Sequence, residues 1–196
     1  TFLTTRRMSR QPSITETREP VWASVSSRNA LKPPAVLSPW LLDKGSLTRA
    51  VVQACAGRFR VRVVHQGWGR ALPSEARRLR VRRTAACLVR EVELLCDDQP
   101  WVFARTLIPA TSLTGGARRL AHLGNRPLGA VLFADPSTKR AAMELARLTR
   151  RDPLFVAAIN HLPERPAELW GRRTLFWYAR KPLLVNEIFL PTIPPR

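Results

Sequence analysis

Three charged side chains in the interiors of strand-like runs are the residues of this chain best placed to do chemistry. Glu187 stands in the run Leu183 to Leu190, where Leu183, Val185, Glu187 and Phe189 alternate with Leu184, Asn186, Ile188 and Leu190. Both faces of that run are largely apolar and the carboxylate is the exception. A buried carboxylate needs a partner, or a task as hydrogen-bond acceptor or base. Arg90, within Leu88 to Cys96, and Arg105, within Trp101 to Ile108, occupy strand interiors. A guanidinium held there forks onto a carboxylate in a geometry that lysine does not reproduce. Plain structural pairing competes with both readings. Glu187 has many arginines to choose from, and Arg90 has acidic neighbours, although Glu91 and Glu93 point to the opposite face of a regular strand.

The elements that must position these residues are legible as two hairpins. Thr174 to Ala179 and Leu183 to Leu190 are joined by Arg180, Lys181 and Pro182, and Leu88 to Cys96 and Trp101 to Ile108 by the polar turn Asp97 to Pro100. Ser46 is an N-cap and Gly57 a C-cap for a helix over Leu47 to Ala56, whose Leu47, Ala50, Val51, Ala54 and Cys55 share a face. Arginines alternating with apolar residues predict a strand from Phe59 to Val64 and a second near Arg77 to Arg82 with a solvated basic face. Thr111 or Ser112 caps a short helix over Leu113 to Leu123, stopped by Gly124. Many antiparallel strands, few helices and no alternation of strand and helix give an α+β class: a single antiparallel β-sheet with flanking helices. Residues 1–38 read as a disordered basic extension closed by Lys32-Pro33-Pro34, and residues 39–196 as one folded domain.

Several pieces in order resemble the chorismate lyase family: Ser46-Leu47-Thr48-Arg49, Leu88-Val89-Arg90-Glu91-Val92 before Leu94-Leu95-Cys96, Pro100-Trp101 followed by Ala104-Arg105-Thr106, Pro127-Leu128-Gly129, and the hairpin from Leu169 to Pro191. The resemblance implies an enzyme that splits chorismate into pyruvate and 4-hydroxybenzoate at the entry to ubiquinone synthesis, acting as a monomer with no metal or organic cofactor; a cytoplasmic location is expected by default, since the amino-terminal stretch has no secretory-type hydrophobic core. It places Arg90 on the ring carboxylate, Glu187 on the ring hydroxyl, and the backbone N–H groups of Leu47 and Leu128 beside the carboxylate. Arg105 is the candidate for the second carboxylate. The resemblance also sets strands over residues 138–150, against the helical propensity of Lys139 to Ala146, and makes 151–166, with its three prolines, an inserted loop. An effector-binding module of certain transcription regulators shares this fold and is the alternative, but such proteins carry a winged helix ahead of it and this chain has only a short basic lead.

The formal charge of +19 is spread along the chain. Residues 1–30 hold five Arg and two Glu, so +16 remains on the rest. The arginines form no single basic helix or recognised nucleic-acid motif, so nucleic acid is not the expected partner; a positive field suits a dianionic substrate. His65, His122 and His161 lack metal-ligand spacing. Cys55, Cys87 and Cys96 show no CxxC and are expected as reduced, buried thiols. No apolar run reaches the length of a membrane span.

Overall fold

The computed structural model describes residues 18–28 and 30–196. Their strands are β1 (Ala23–Ser24), β2 (Phe59–Arg70), β3 (Ala86–Cys96), β4 (Gln99–Pro109), β5 (Lys139–Arg140), β6 (Glu144–Thr149), β7 (Glu168–Tyr178) and β8 (Lys181–Phe189). They form one sheet in the order β1-β6-β7-β8-β4-β3-β2, with β5 paired to β7, and all pairs are antiparallel. The helices are α1 (Ser38–Leu41), α2 (Leu47–Ala54), α3 (Pro73–Leu79), α4 (Leu128–Ala134) and α5 (Pro153–Ile159), with 3-10 turns at Ala110–Ser112 and Gly115–His122. The α+β class with a single antiparallel sheet is therefore as expected.

Both hairpins form, with tighter turns than the composition suggests. Asp97 and Asp98 at φ 45° and 67°, and Ala179 and Arg180 at φ 48° and 63°, are the loop residues, and paired positive φ values are the signature of two-residue turns. Gly57 does not cap α2, which ends at Ala54 with Cys55 as its extended cap. Gly57 lies instead against the Asp97 carboxylate, which accepts the Arg58 N–H at 2.7 Å, and a Cβ at Gly57 would sit 1.6 Å from an Asp97 oxygen.

Alternation along β3, β4 and β8 divides the molecule into two faces. On one, α1, α2 and α4 cover Val61, Leu94, Val102, Phe189, Leu88, Ile108, Phe176 and Val185. On the other, α3 and α5 cover Phe103, Ile188, Leu148, Leu107, Leu175 and Leu184.

Four further expectations need correction. Residues 77–82 are not a strand, because Ala76 and Leu79 share the inner face of α3, Pro73 starts it, and Glu75 accepts the Leu72 N–H at 2.8 Å. Residues 151–166 hold α5, which buries Leu154, Phe155, Ala158 and Ile159. The described part of the first 38 residues is ordered: β1 pairs with β6, Arg173 lies over the Trp22 ring at 4.6 Å, and Glu19 accepts the Ser74 N–H. Residues 1–17 lie outside the described residues. Cys55 and Cys96 form a disulfide, because the end of α2 meets the end of β3 at a Cα–Cα distance of 5.7 Å; Cys87 stays free and buried. Residues 138–150, by contrast, do form strands, β5 and β6.

Candidate active site

Between the sheet and the paired helices α2 and α4 lies a cavity whose floor is Val61, Arg90, Val92, Ala104, Thr106, Val185 and Glu187, and whose roof is Leu47, Thr48, Leu128, Leu132 and Phe133. Sheet register explains the floor. Arg90 on β3 pairs with Thr106 on β4, which pairs with Val185 on β8, while Val92, Ala104 and Glu187 form the next row. Arg90 and Glu187 thus share a face, two strands and two residues apart. At about 4.8 Å per strand and 3.3 Å per residue their Cα atoms are about 12 Å apart, leaving room for one small ring between the two side chains.

The roof comes from two helix starts. Ser46 caps α2, accepting the Arg49 N–H at 3.4 Å, and Leu47 is the first helical residue; Leu128 is the first of α4, after Pro127. First-turn N–H groups have no partner inside their own helix. The two starts meet closely at Gly129, where a Cβ would stand 3.0 Å from Thr48 Oγ1.

Arg90 is 3% exposed, and its guanidinium donates to Gln66 Oε1 (2.8 Å), Gly124 O (2.8 Å) and Arg126 O (3.4 Å). All three acceptors are neutral. The nearby carboxylates are used elsewhere, Glu93 by Arg62 and His161, and Glu91 by Arg105. Burial pulls the Arg90 guanidinium below its ordinary value, with no anion among the described residues to restore it. A buried cation held only by neutral acceptors is a candidate anion site.

Arg105 is its opposite. It lies on the far face of the sheet, paired with Glu75 at 3.1 Å and Glu91 at 2.6 Å. Burial alone would lower it, but those two carboxylates hold its guanidinium above the ordinary arginine value. Arg105 does not line the cavity. Its place near Glu75 and Asn186 makes it part of a buried polar cluster under α3, where Asn186 Nδ2 donates to Glu75 Oε1 at 2.9 Å.

Glu187 lines the end of the cavity away from Arg90, and its Oε2 accepts the Arg172 Nε–H at 2.5 Å. Sequence reasoning missed Arg172, although the hairpin register that opposes it to Glu187 would have found it. It also missed Gln66, which orients Arg90, and Arg140, an exposed residue over the Phe133 ring that lines a small adjoining pocket sharing Leu47, Phe133, Phe176 and Glu187 with the cavity.

The sequence model of the family described as Chorismate lyase matches residues 19–195. The chain belongs to the chorismate lyase family. A protein named "Probable chorismate pyruvate-lyase" from Methylococcus capsulatus is 43% identical over 157 residues, 80% of this chain and 96% of that protein. One of the same name from Aromatoleum aromaticum is 44% identical over 162 residues, covering 82% and 87%. This lyase family member shares its fold with the C-terminal domain of the histidine utilization repressor from Pseudomonas syringae pv. tomato. That match has a TM-score of 0.51 and 11% identity, over 71% of this chain and 98% of that one. PhnF from Mycobacterium smegmatis likewise matches at TM-score 0.51 and 17% identity, over 76% and 65%.

Proposed function

We propose that this chain eliminates pyruvate from chorismate to give 4-hydroxybenzoate, the first step of ubiquinone synthesis, as a cytoplasmic monomer. The observation that supports the reaction is the buried Arg90 with no carboxylate partner among the described residues, facing Glu187 across one small cavity. Arg90 takes the ring carboxylate as a bidentate pair, supported by the first-turn N–H groups of Leu47 and Leu128. Glu187 Oε1 accepts the ring hydroxyl.

The substrate's second carboxylate, on the departing enolpyruvyl group, needs a cation at the Glu187 end. With Arg105 turned to the far face, that role falls to Arg140, which lines the small pocket adjoining the cavity at Glu187 and has no carboxylate partner among the described residues. In the reaction the ring carbon that bears the hydroxyl gives up its proton, the electrons of that C–H bond complete the aromatic ring, and the neighbouring ether C–O bond breaks. The enolpyruvyl fragment takes a proton at its methylene carbon and leaves as pyruvate. Aromatisation drives the step, so the protein's work is to hold the reactive conformer, balance its charges and exclude water.

The test is to incubate the protein with chorismate and separate the products by chromatography, alongside Arg90→Ala and Glu187→Ala. Pyruvate and 4-hydroxybenzoate, lost in both variants, support the reading. Absence of turnover by the folded chain overturns it, and tight binding of 4-hydroxybenzoate without turnover would favour an effector-binding module, the role of the regulators that share the fold.

A further inference from the structure

Arg172, on β7, is a buried arginine at the Glu187 end of the site. It is 3% exposed and stands directly across from Glu187 in the β7–β8 register. Its Nε donates to Glu187 Oε2 at 2.5 Å, and its Nη1 donates to the carbonyls of Trp40 at 2.9 Å and Asp43 at 2.7 Å. Its guanidinium carbon lies 5.8 Å from the Phe189 ring centroid. Those two carbonyls belong to the chain just before α2, where Gly45 N–H donates to the Asp43 carboxylate at 2.6 Å and Ser46 caps the helix. One planar cation therefore ties the carboxylate at one end of the cavity to the segment that launches its roof.

We propose that Arg172 is the positioning residue for Glu187: by occupying Oε2 it fixes the carboxylate plane so that Oε1 faces the cavity and accepts the hydroxyl of a para-hydroxylated ring acid. The assignment deepens the lyase reading and rests on it. Arginine is needed because the contacts diverge from a rigid fork, whereas a lysine ammonium reaches either Glu187 or the carbonyls.

The test compares 4-hydroxybenzoate with benzoate, which differ only in the hydroxyl. The wild-type chain prefers 4-hydroxybenzoate by roughly ten- to a hundredfold, the worth of a hydrogen bond to a charged acceptor. In Arg172→Lys that ratio falls to within about threefold of one while benzoate affinity holds, and in a Glu187→Gln background the Lys substitution changes the ratio no further. A ratio that stays at the wild-type value, or a parallel loss for both ligands, overturns the proposal, because a merely structural arginine acts on both ligands alike. Should Arg172→Lys not fold, the wild-type protein decides: the Arg172 Nε–H resonance shifts on adding 4-hydroxybenzoate and not benzoate, and no shift refutes the role. A wild-type chain that binds both ligands equally sinks the underlying site reading as well, so the two failures are distinguishable.

Discussion

Replacing Arg90 by methionine, similar in length and uncharged, separates binding from folding. Without ligand, the substitution removes hydrogen bonds to Gln66, Gly124 and Arg126, of which the last is long at 3.4 Å. Each such bond contributes about 0.5–1.5 kcal/mol net. Against that loss, the penalty for burying a cation with no counter-ion among the described residues, several kcal/mol per ion, disappears. The two sides leave the ligand-free variant within about 1 kcal/mol of wild type, or above it. Ligand reverses the order. At a concentration 100 times Kd, 4-hydroxybenzoate stabilises the wild-type chain by about 2.7 kcal/mol, and in a domain of this size that raises Tm by about 5–10 °C. Loss of a bidentate, charge-assisted pair weakens binding by roughly 10²–10³-fold, so the variant shifts by less than about 2 °C at the same concentration. Thermal unfolding followed by circular dichroism, with and without ligand, reads both numbers. A variant destabilised by more than about 3 kcal/mol that keeps the full ligand shift would show that Arg90 is a structural strut and that the anion binds elsewhere.

Arg140→Gln should raise KM for chorismate about tenfold, the worth of one charge-assisted contact, while leaving the affinity for 4-hydroxybenzoate unchanged, since the product lacks the enolpyruvyl carboxylate; steady-state kinetics and product titration check the pair. Opening the Cys55–Cys96 link, by Cys55→Ser or by reductant, should cost about 4 kcal/mol in urea unfolding, the chain-entropy value for a loop closed across 41 residues. Cys87 is fully buried; burial, then the Glu75 charge, pushes its thiol above the ordinary value. It should therefore resist iodoacetamide in the native protein and react on unfolding, as mass spectrometry would show.

The alternation in β3, β4 and β8 was legible because strands repeat every two residues whatever surrounds them. Leu183, Val185, Glu187 and Phe189 do share a face, and Glu91 and Glu93 do turn from Arg90, as the run itself required. The α3 segment was not legible. Five arginines between 77 and 83 mask the helical spacing of Ala76 and Leu79, and alternate well enough with Leu79 and Val81 to imitate a strand. The misplacement of Arg105 has another cause. A motif match says that a residue matters without saying which face it points to, and Arg105 is tied down by Glu75, 30 residues away, a contact no local pattern contains. The same long-range origin hides the Cys55–Cys96 bond and the clasp of Arg172 on Trp40 and Asp43.

The two faces of the sheet also bear on which sequence changes the gene tolerates. Sliding β8 by one residue against β4 would carry Glu187 under α3 and turn Asn186 into the cavity; the same slip in β3 would exchange Arg90 for Glu91, a cation for an anion. Single-codon insertions or deletions within β3, β4 or β8 should therefore be null. Insertions of equal length between α5 and β7, where 160–167 is mostly exposed, should pass selection. Reading frame aside, the parity of these three strands is as strict a constraint on the lineage as the identity of any one site residue.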